Sequence, residues 1–320
     1  MTVTFSQEKY DEIYAFAIDL GRKAGKMLME RVDQRIDNAN GANQTFEEKE
    51  NSVDIVTQTD EDVEVFIRSA LQAKYPTHKF LGEETYAKGQ SRDYLIDNDP
   101  TWCIDPLDGT VNYTHIFPMF CVSIGFVVNN RPTIGVIYAP FTDQLWSACP
   151  GRGAWLNETR RLPLIHNPIP PMPANAPSQC IFSCEWGKDR RDIPDGNMHR
   201  KIESFVNMAA ELGSRSGRGG MVHGVRSLGS ATLDLAYVAM GDIAAGVAIL
   251  LEAGGLMTTA NPPENEATCP IEDVKLGSRL YLAIRPAGPS ATETGRETQE
   301  RTVREVWRRV RNLDYSRPGA

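Results

Sequence analysis

Residues 101–113 read Thr-Trp-Cys-Ile-Asp-Pro-Leu-Asp-Gly-Thr-Val-Asn-Tyr, and this stretch decides how the rest of the 320-residue chain is read. TWCI is a short apolar run of the kind that forms a buried strand. Asp105 and Asp108 follow where that strand ends, three residues apart and separated by Pro106, whose ring fixes φ. Two carboxylates leaving a strand together can converge on one cation, with the Leu107 carbonyl as a third oxygen between them. Gly109 and Thr110 then open a short helix whose N–H groups face an anion.

Outward from this string, further acidic residues stand at element ends. Gly82-Glu83-Glu84 closes the run KFLGEE at 79–84, and Thr57-Gln58-Thr59-Asp60 precedes a helical pattern. In the latter, Thr57 and Asp60 also fit an ordinary helix cap. The pattern after Asp60 carries Val63, Phe66, Ile67, Ala70 and Leu71 on one face, with Pro76 as its stop. An earlier helix is expected from Ser6 to Glu30 on the recurrence of Tyr10, Ile13, Ala17, Leu20, Ala24 and Met27. Between the two helices, DNANGANQTFEEKENS at 37–52 reads as an exposed polar loop. FCVSIGFVV at 120–128, TIGVIYAP at 133–140 and QLWSAC from Gln144 continue the strand pattern, so a largely antiparallel sheet packed on two helices is expected.

The Pro-rich stretch at 166–178 is the best internal boundary, which divides the chain into 1–165, 166–286 and 287–320. The middle segment reads as a strand at CIFSC, a helix near 197–212, a Gly/Arg/Ser loop, a strand running into a helix over HGVRSLGSATLDLAYVAMG, a helix over DIAAGVAILLEAGG and a last strand at LYLAIRP. A polar linker at 287–299 leads to a charged terminal helix around TVREVWRRVRNL.

Composition narrows the function classes. Net charge is −8 and the pI about 5.3, which argues against nucleic acid or an anionic membrane as the main partner. No apolar run approaches the ~18 residues that span a bilayer. The N-terminus is charged and amphipathic with no signal peptide visible, so a cytoplasmic protein is expected. The six cysteines are too scattered for a disulfide framework or a structural zinc site.

Taken together, VTQTD at 56–60, GEET at 82–85, WCIDPLDGTVNY at 102–113 and DIAAGVAILLEAGG at 242–255 resemble, in order, the signatures of the inositol monophosphatase family. The resemblance covers about residues 8 to 285. It implies an α+β or α/β fold of the sugar-phosphatase type, a layered α-β-α-β-α sandwich, and a Mg²⁺-dependent phosphomonoesterase acting on a small phosphorylated polyol. Glu83, Asp105, the Leu107 carbonyl, Asp108 and Asp242 correspond to the metal ligands, an all-oxygen set that suits Mg²⁺. Such cations polarise the phosphate and acidify a water for in-line attack. Glu83 and Thr110, the latter held by Asp60, correspond to the residues that orient that water. The resemblance assigns phosphate oxygens to the N–H groups of Gly109 and Thr110, and the sugar hydroxyls to Gly229, Ser230 and Ala231, with Asp108 and Asp242 also lining the substrate. It further implies inhibition by Li⁺ and a homodimer.

One departure stands out. The family places a strand, a substrate-contacting acid and a Trp-Asp loop before the D-x-A-A-G string, whereas here Met240-Gly241 runs straight into Asp242. One strand is therefore expected to be missing before Asp242. Inositol monophosphate is the expected substrate. A bisphosphorylated nucleotide, histidinol phosphate or a sugar bisphosphate remain open within the same chemistry, as does a non-catalytic relative inactivated by the gap.

Overall fold

The computed structural model describes residues 2–37, 46–48, 55–87, 97–238, 245–274 and 280–315. Along the chain run α1 (Gln7–Asp37), β1 (Phe46–Glu48), β2 (Ile55–Thr57), α2 (Gln58–Lys74), β3 (Lys79–Gly82), α3 (Glu83–Ala87), β4 (Thr101–Asp108) and α4 (Thr110–Thr114). Next come β5 (Cys121–Val128), β6 (Arg131–Ala139), β7 (Gln144–Cys149), β8 (Gly153–Leu156), β9 (Arg160–Arg161), β10 (Ile181–Ser183), α5 (Asn197–Ala209) and α6 (Ser214–Gly217). The remainder is β11 (Gly224–Arg226), α7 (Ala231–Val238), α8 (Ala245–Glu252), β12 (Leu256–Thr259), β13 (Tyr281–Ile284) and α9 (Gly295–Trp307). Two compact units result: Met1–Leu162 with Gly229–Ala253, and Pro163–Leu228 with Gly254–Ala320. The first unit thus takes back residues 229–253, which carry α7 and α8, whereas the Pro-rich boundary divides the chain into consecutive segments.

The first unit is built on a seven-stranded sheet of order β3-β4-β5-β6-β7-β8-β9. Only β3 and β4 pair in parallel; every other neighbour is antiparallel. All eight residues of β5 are buried, which requires cover on both faces of the sheet. On one face α1 contributes Ile13, Ala17, Leu20, Ala24 and Leu28, packed with Ile124, Ile134, Val136 and Leu145. The alternate residues Val127, Ile137, Trp146 and Ala148 are buried outside that cluster. They belong to the opposite face, where α8 meets β6 and β7 and Tyr237 of α7 sets its ring edge-on to Trp146.

Helix α1 extends seven residues beyond the expected end at Glu30, because Val32 continues the apolar stripe of Leu28 and is fully buried. Tertiary packing, not a cap, sets that end. The expected loop at 37–52 contains β1, which pairs antiparallel with β2. A three-residue strand with one apolar residue is made by backbone pairing and carries no readable alternation.

In the second unit β10 and β11 form a parallel pair, and β12 and β13 an antiparallel pair. Among the described residues no strand joins these two pairs. The terminal helix lies earlier than expected: α9 starts inside the expected linker, at a Thr294/Glu297 capping box, and ends at Trp307, before the end of TVREVWRRVRNL. Val303 and Trp307 enter a core with Met172, Leu256 and Ile284, so this tail is structural. The junction before Asp242, where a strand is expected to be missing, and Asp242 itself fall at 239–244, outside the described residues. Six sequence positions separate α7 from α8.

Candidate active site

The site is assembled where β3 ends beside β4, which runs on through Asp105 to Asp108 and so ends later than the sequence suggests. Their parallel register pairs Gly82 with Ile104, so the next residues, Glu83 and Asp105, follow side by side. Adjacent strands lie about 4.8 Å apart, which puts two carboxylates within reach of one cation. Of the Glu83-Glu84 pair, Glu83 is exposed and Glu84 is buried, so Glu83 is the one presented to solvent.

Between Asp105 and Asp108 the β4–β5 register slips, since Asp105 pairs with Ser123 and Asp108 with Cys121. That bulge turns the chain. Asp105 Oδ1 accepts the Leu107 N–H at 3.1 Å, which folds the aspartate back over the turn. Gly109 follows with φ +85°, and a Cβ there would lie 2.6 Å from the Met119 carbonyl oxygen. Both the left-handed backbone and the close approach demand glycine. Gly109 then caps α4, so Thr110 is the first residue of that short helix.

The Thr110 hydroxyl lies 3.2 Å from Asp60 Oδ1 and 3.1 Å from the Leu107 carbonyl oxygen. It carries one proton and so serves one of these acceptors at a time. Asp60 is 1% exposed. Its other oxygen, Oδ2, accepts the Thr57 N–H at 2.9 Å and the Thr57 hydroxyl at 2.5 Å. Asp60 therefore has both roles that the sequence left open: it completes the N-terminal cap of α2 and holds the hydroxyl of Thr110.

Asp108 faces another element. Its Oδ2 accepts the Ser230 hydroxyl and, at 3.0 Å, the Thr232 N–H. The side chain thus caps α7 and ties Gly229, Ser230 and Ala231 to the Asp-Pro-Leu-Asp-Gly-Thr turn. Ser230 is 1% exposed, and its Oγ also accepts the Leu233 N–H at 3.1 Å. A hydroxyl so enclosed anchors this segment more than it greets a ligand. Sequence reasoning placed Ser230 against substrate and missed its bond to Asp108, because the two are 122 positions apart.

Among the described residues no three His, Cys, Asp or Glu side chains form a metal-holding group, and Asp242 lies outside them. The donors that are described still fit a hard divalent cation. Glu83, Asp105, Asp108 and the Leu107 carbonyl are all oxygen donors, and the β3–β4 register sets Glu83 beside Asp105. All six cysteines are free thiols, and no helix among the described residues is long and apolar enough to cross a membrane.

A family model described as "Inositol monophosphatase family" matches residues 9–311. "Protein qutG" of Emericella nidulans is 71% identical over 332 residues, covering 99% of each chain. "Quinic acid degradation cluster protein x" of Neurospora crassa is 63% identical over 339 residues, again covering 99% of each. Against 320 residues here, these alignment lengths leave at least 12 and 19 positions of the relatives without a counterpart. A solved structure of inositol monophosphatase from Anabaena (Nostoc) superposes with a TM-score of 0.63 at 27% identity, covering 95% of this chain and 98% of that one.

Proposed function

The chain belongs to the inositol monophosphatase family, and from that membership we propose that it is a Mg²⁺-dependent phosphomonoesterase that hydrolyses inositol monophosphate. The observation that carries this reading is the contact between Thr110 and buried Asp60, set in the turn that also presents Asp105 and Asp108 beside Glu83. When bound, Mg²⁺ supplies charge neutralisation at the phosphate and acidifies a water.

The chain's own residues do the rest. Glu83, Asp105, the Leu107 carbonyl, Asp108 and Asp242 hold the metal. Thr110 and Glu83 orient the attacking water, and Asp60 fixes the Thr110 hydroxyl by accepting its proton in a hydrogen bond. The N–H groups of Gly109 and Thr110 take phosphate oxygens. Gly229, Ser230 and Ala231 shape the wall facing the polyol, with Ser230 anchored on Asp108. The same reading includes a cytoplasmic homodimer and inhibition by Li⁺.

A second reading has a specific observation behind it. The 63% identical Neurospora relative is named for quinic acid degradation. Quinic acid, like inositol, is a six-membered carbon ring bearing several hydroxyls, with a carboxylate added. A phosphate ester of such a ring acid would meet the same metal corner.

Phosphate release from the purified chain with Mg²⁺ tests both. The panel holds inositol monophosphates, phosphorylated ring polyol acids, a nucleotide bisphosphate, histidinol phosphate and a sugar bisphosphate. Fastest turnover is expected on inositol monophosphate. Preference for the ring acid selects the second reading, and release from none of them selects a non-catalytic relative.

A further inference from the structure

Helix α2 carries a second buried carboxylate one turn after Asp60. Glu64 is 4% exposed, and its side chain is directed at the junction of β3 and α3. Oε2 accepts the Glu84 N–H at 2.8 Å; Oε1 accepts the Thr85 N–H at 2.9 Å and the Thr85 hydroxyl as well. Those two N–H groups belong to the first turn of α3, where a helix leaves its donors unpaired. Three donors on one buried carboxylate make a charge-assisted grip of the kind that fixes backbone geometry. The approach is close: a Cβ on Gly82 would lie 2.5 Å from Glu64 Oε2. Glycine is thus needed on one side of Glu83 while both residues on its other side are held.

We propose that Glu64 is a positioning residue for metal binding: by gripping Glu84 and Thr85 it fixes the direction in which Glu83 is presented beside Asp105. The inference rests on the reading of Glu83 as a metal ligand. It adds a mechanical link, because Asp60 and Glu64 lie four residues apart on one helix. Asp60 holds Thr110 and Glu64 holds the Glu83 turn, so α2 sets the two water-orienting groups relative to each other. Spacing alone sets Glu64 on the edge of the stripe that carries Ile67 and Leu71, and nothing in the sequence names the donors it meets there.

Glu64→Gln is the test. The amide keeps the volume and one acceptor, but turns its NH₂ against a backbone N–H. Mn²⁺ binding is measured by titration calorimetry well below the melting temperature, with Mg²⁺ activation and substrate KM measured beside it. Loss of such an outer support costs roughly 10–100-fold in metal affinity. The expected result is a fall of about tenfold in Mn²⁺ affinity and a matching rise in the Mg²⁺ needed for half activity, with KM at saturating Mg²⁺ little changed. Thr85→Val removes only the hydroxyl from the grip, and a smaller fall in the same direction is expected; it carries the test if Glu64→Gln does not fold. A lowered melting temperature with unaltered Mn²⁺ affinity would make Glu64 a helix cap alone and overturn the proposal. Glu83→Gln, run in parallel, separates the two levels. If it weakens Mn²⁺ binding and Glu64→Gln does not, only the positioning role falls. If it too leaves Mn²⁺ binding intact, both fall.

Discussion

Replacing Thr110 by alanine removes one hydroxyl and leaves the backbone of the turn as it is. In the folded chain that hydroxyl is within reach of Asp60 Oδ1 at 3.2 Å and of the Leu107 carbonyl at 3.1 Å. Asp60 keeps the Thr57 N–H and hydroxyl on its other oxygen, so the mutant does not strand a bare buried charge. The stability cost should therefore stay near the lower end of the ~1–3 kcal/mol for an unsatisfied buried acceptor, a shift of a few degrees in Tm. Turnover should suffer more. Removing one preorganised hydrogen-bonding group from an active site costs about 10²–10³ in kcat, or roughly 3–4 kcal/mol of transition-state stabilisation. KM should change little, since the N–H of residue 110 remains for the phosphate. Steady-state phosphate release at saturating Mg²⁺, beside a thermal melt, reads both quantities, and Thr110→Ser should recover most of the loss. A Thr110→Ala enzyme within a few-fold of the parent kcat would refute the assignment, and loss of KM alone would make Thr110 a binding residue.

Asp105→Asn should abolish measurable Mg²⁺-dependent turnover while the melt is held or raised, because neutralising one of several close carboxylates relieves repulsion; near-normal activity at ordinary Mg²⁺ would show that Asp105 is not a ligand. Gly109→Ala should destabilise by more than the ~1–2 kcal/mol of a left-handed L-residue, since its Cβ would meet the Met119 carbonyl at 2.6 Å; an unchanged melting curve would contradict that geometry. The Arg152 guanidinium, and after it Gln7, hold the Asp11 carboxyl down at about 2. With the folded value below the ordinary 3.8, its stabilisation is present above that value and disappears as pH falls toward 2, so the Tm difference between parent and Asp11→Asn should close between pH 5 and pH 2. Inserting a family-like strand and Trp-Asp loop before Asp242 should raise both melting temperature and phosphatase activity, because β10–β11 and β12–β13 stand as separate pairs among the described residues; equal values for the two versions would show that the chain needs no such strand.

Local chemistry made much of this molecule legible in advance. TWCI ends in carboxylates held by a proline, and a strand of continuous apolar residues such as FCVSIGFVV has to be buried on both faces. The stripe of Ile13, Ala17, Leu20 and Ala24 names its own buried side, and the Asp105 to Thr110 string carries its turn chemistry within six residues. Such features depend on neighbours in sequence, and the sequence by itself determined them. Tertiary structure decided whatever depends on partners far along the chain. Val32 prolongs α1 because it is buried in the core, and β1 exists only by pairing with β2. Asp60 is a cap by sequence and a clamp on Thr110 only because β4 delivers that hydroxyl 50 residues later. Glu64 reads as one more charge on an amphipathic helix until β3 brings Gly82 against it and the first turn of α3 supplies three donors. A hydrogen bond has a length of about 3 Å and no memory of sequence separation, so periodicity and motif cannot announce it.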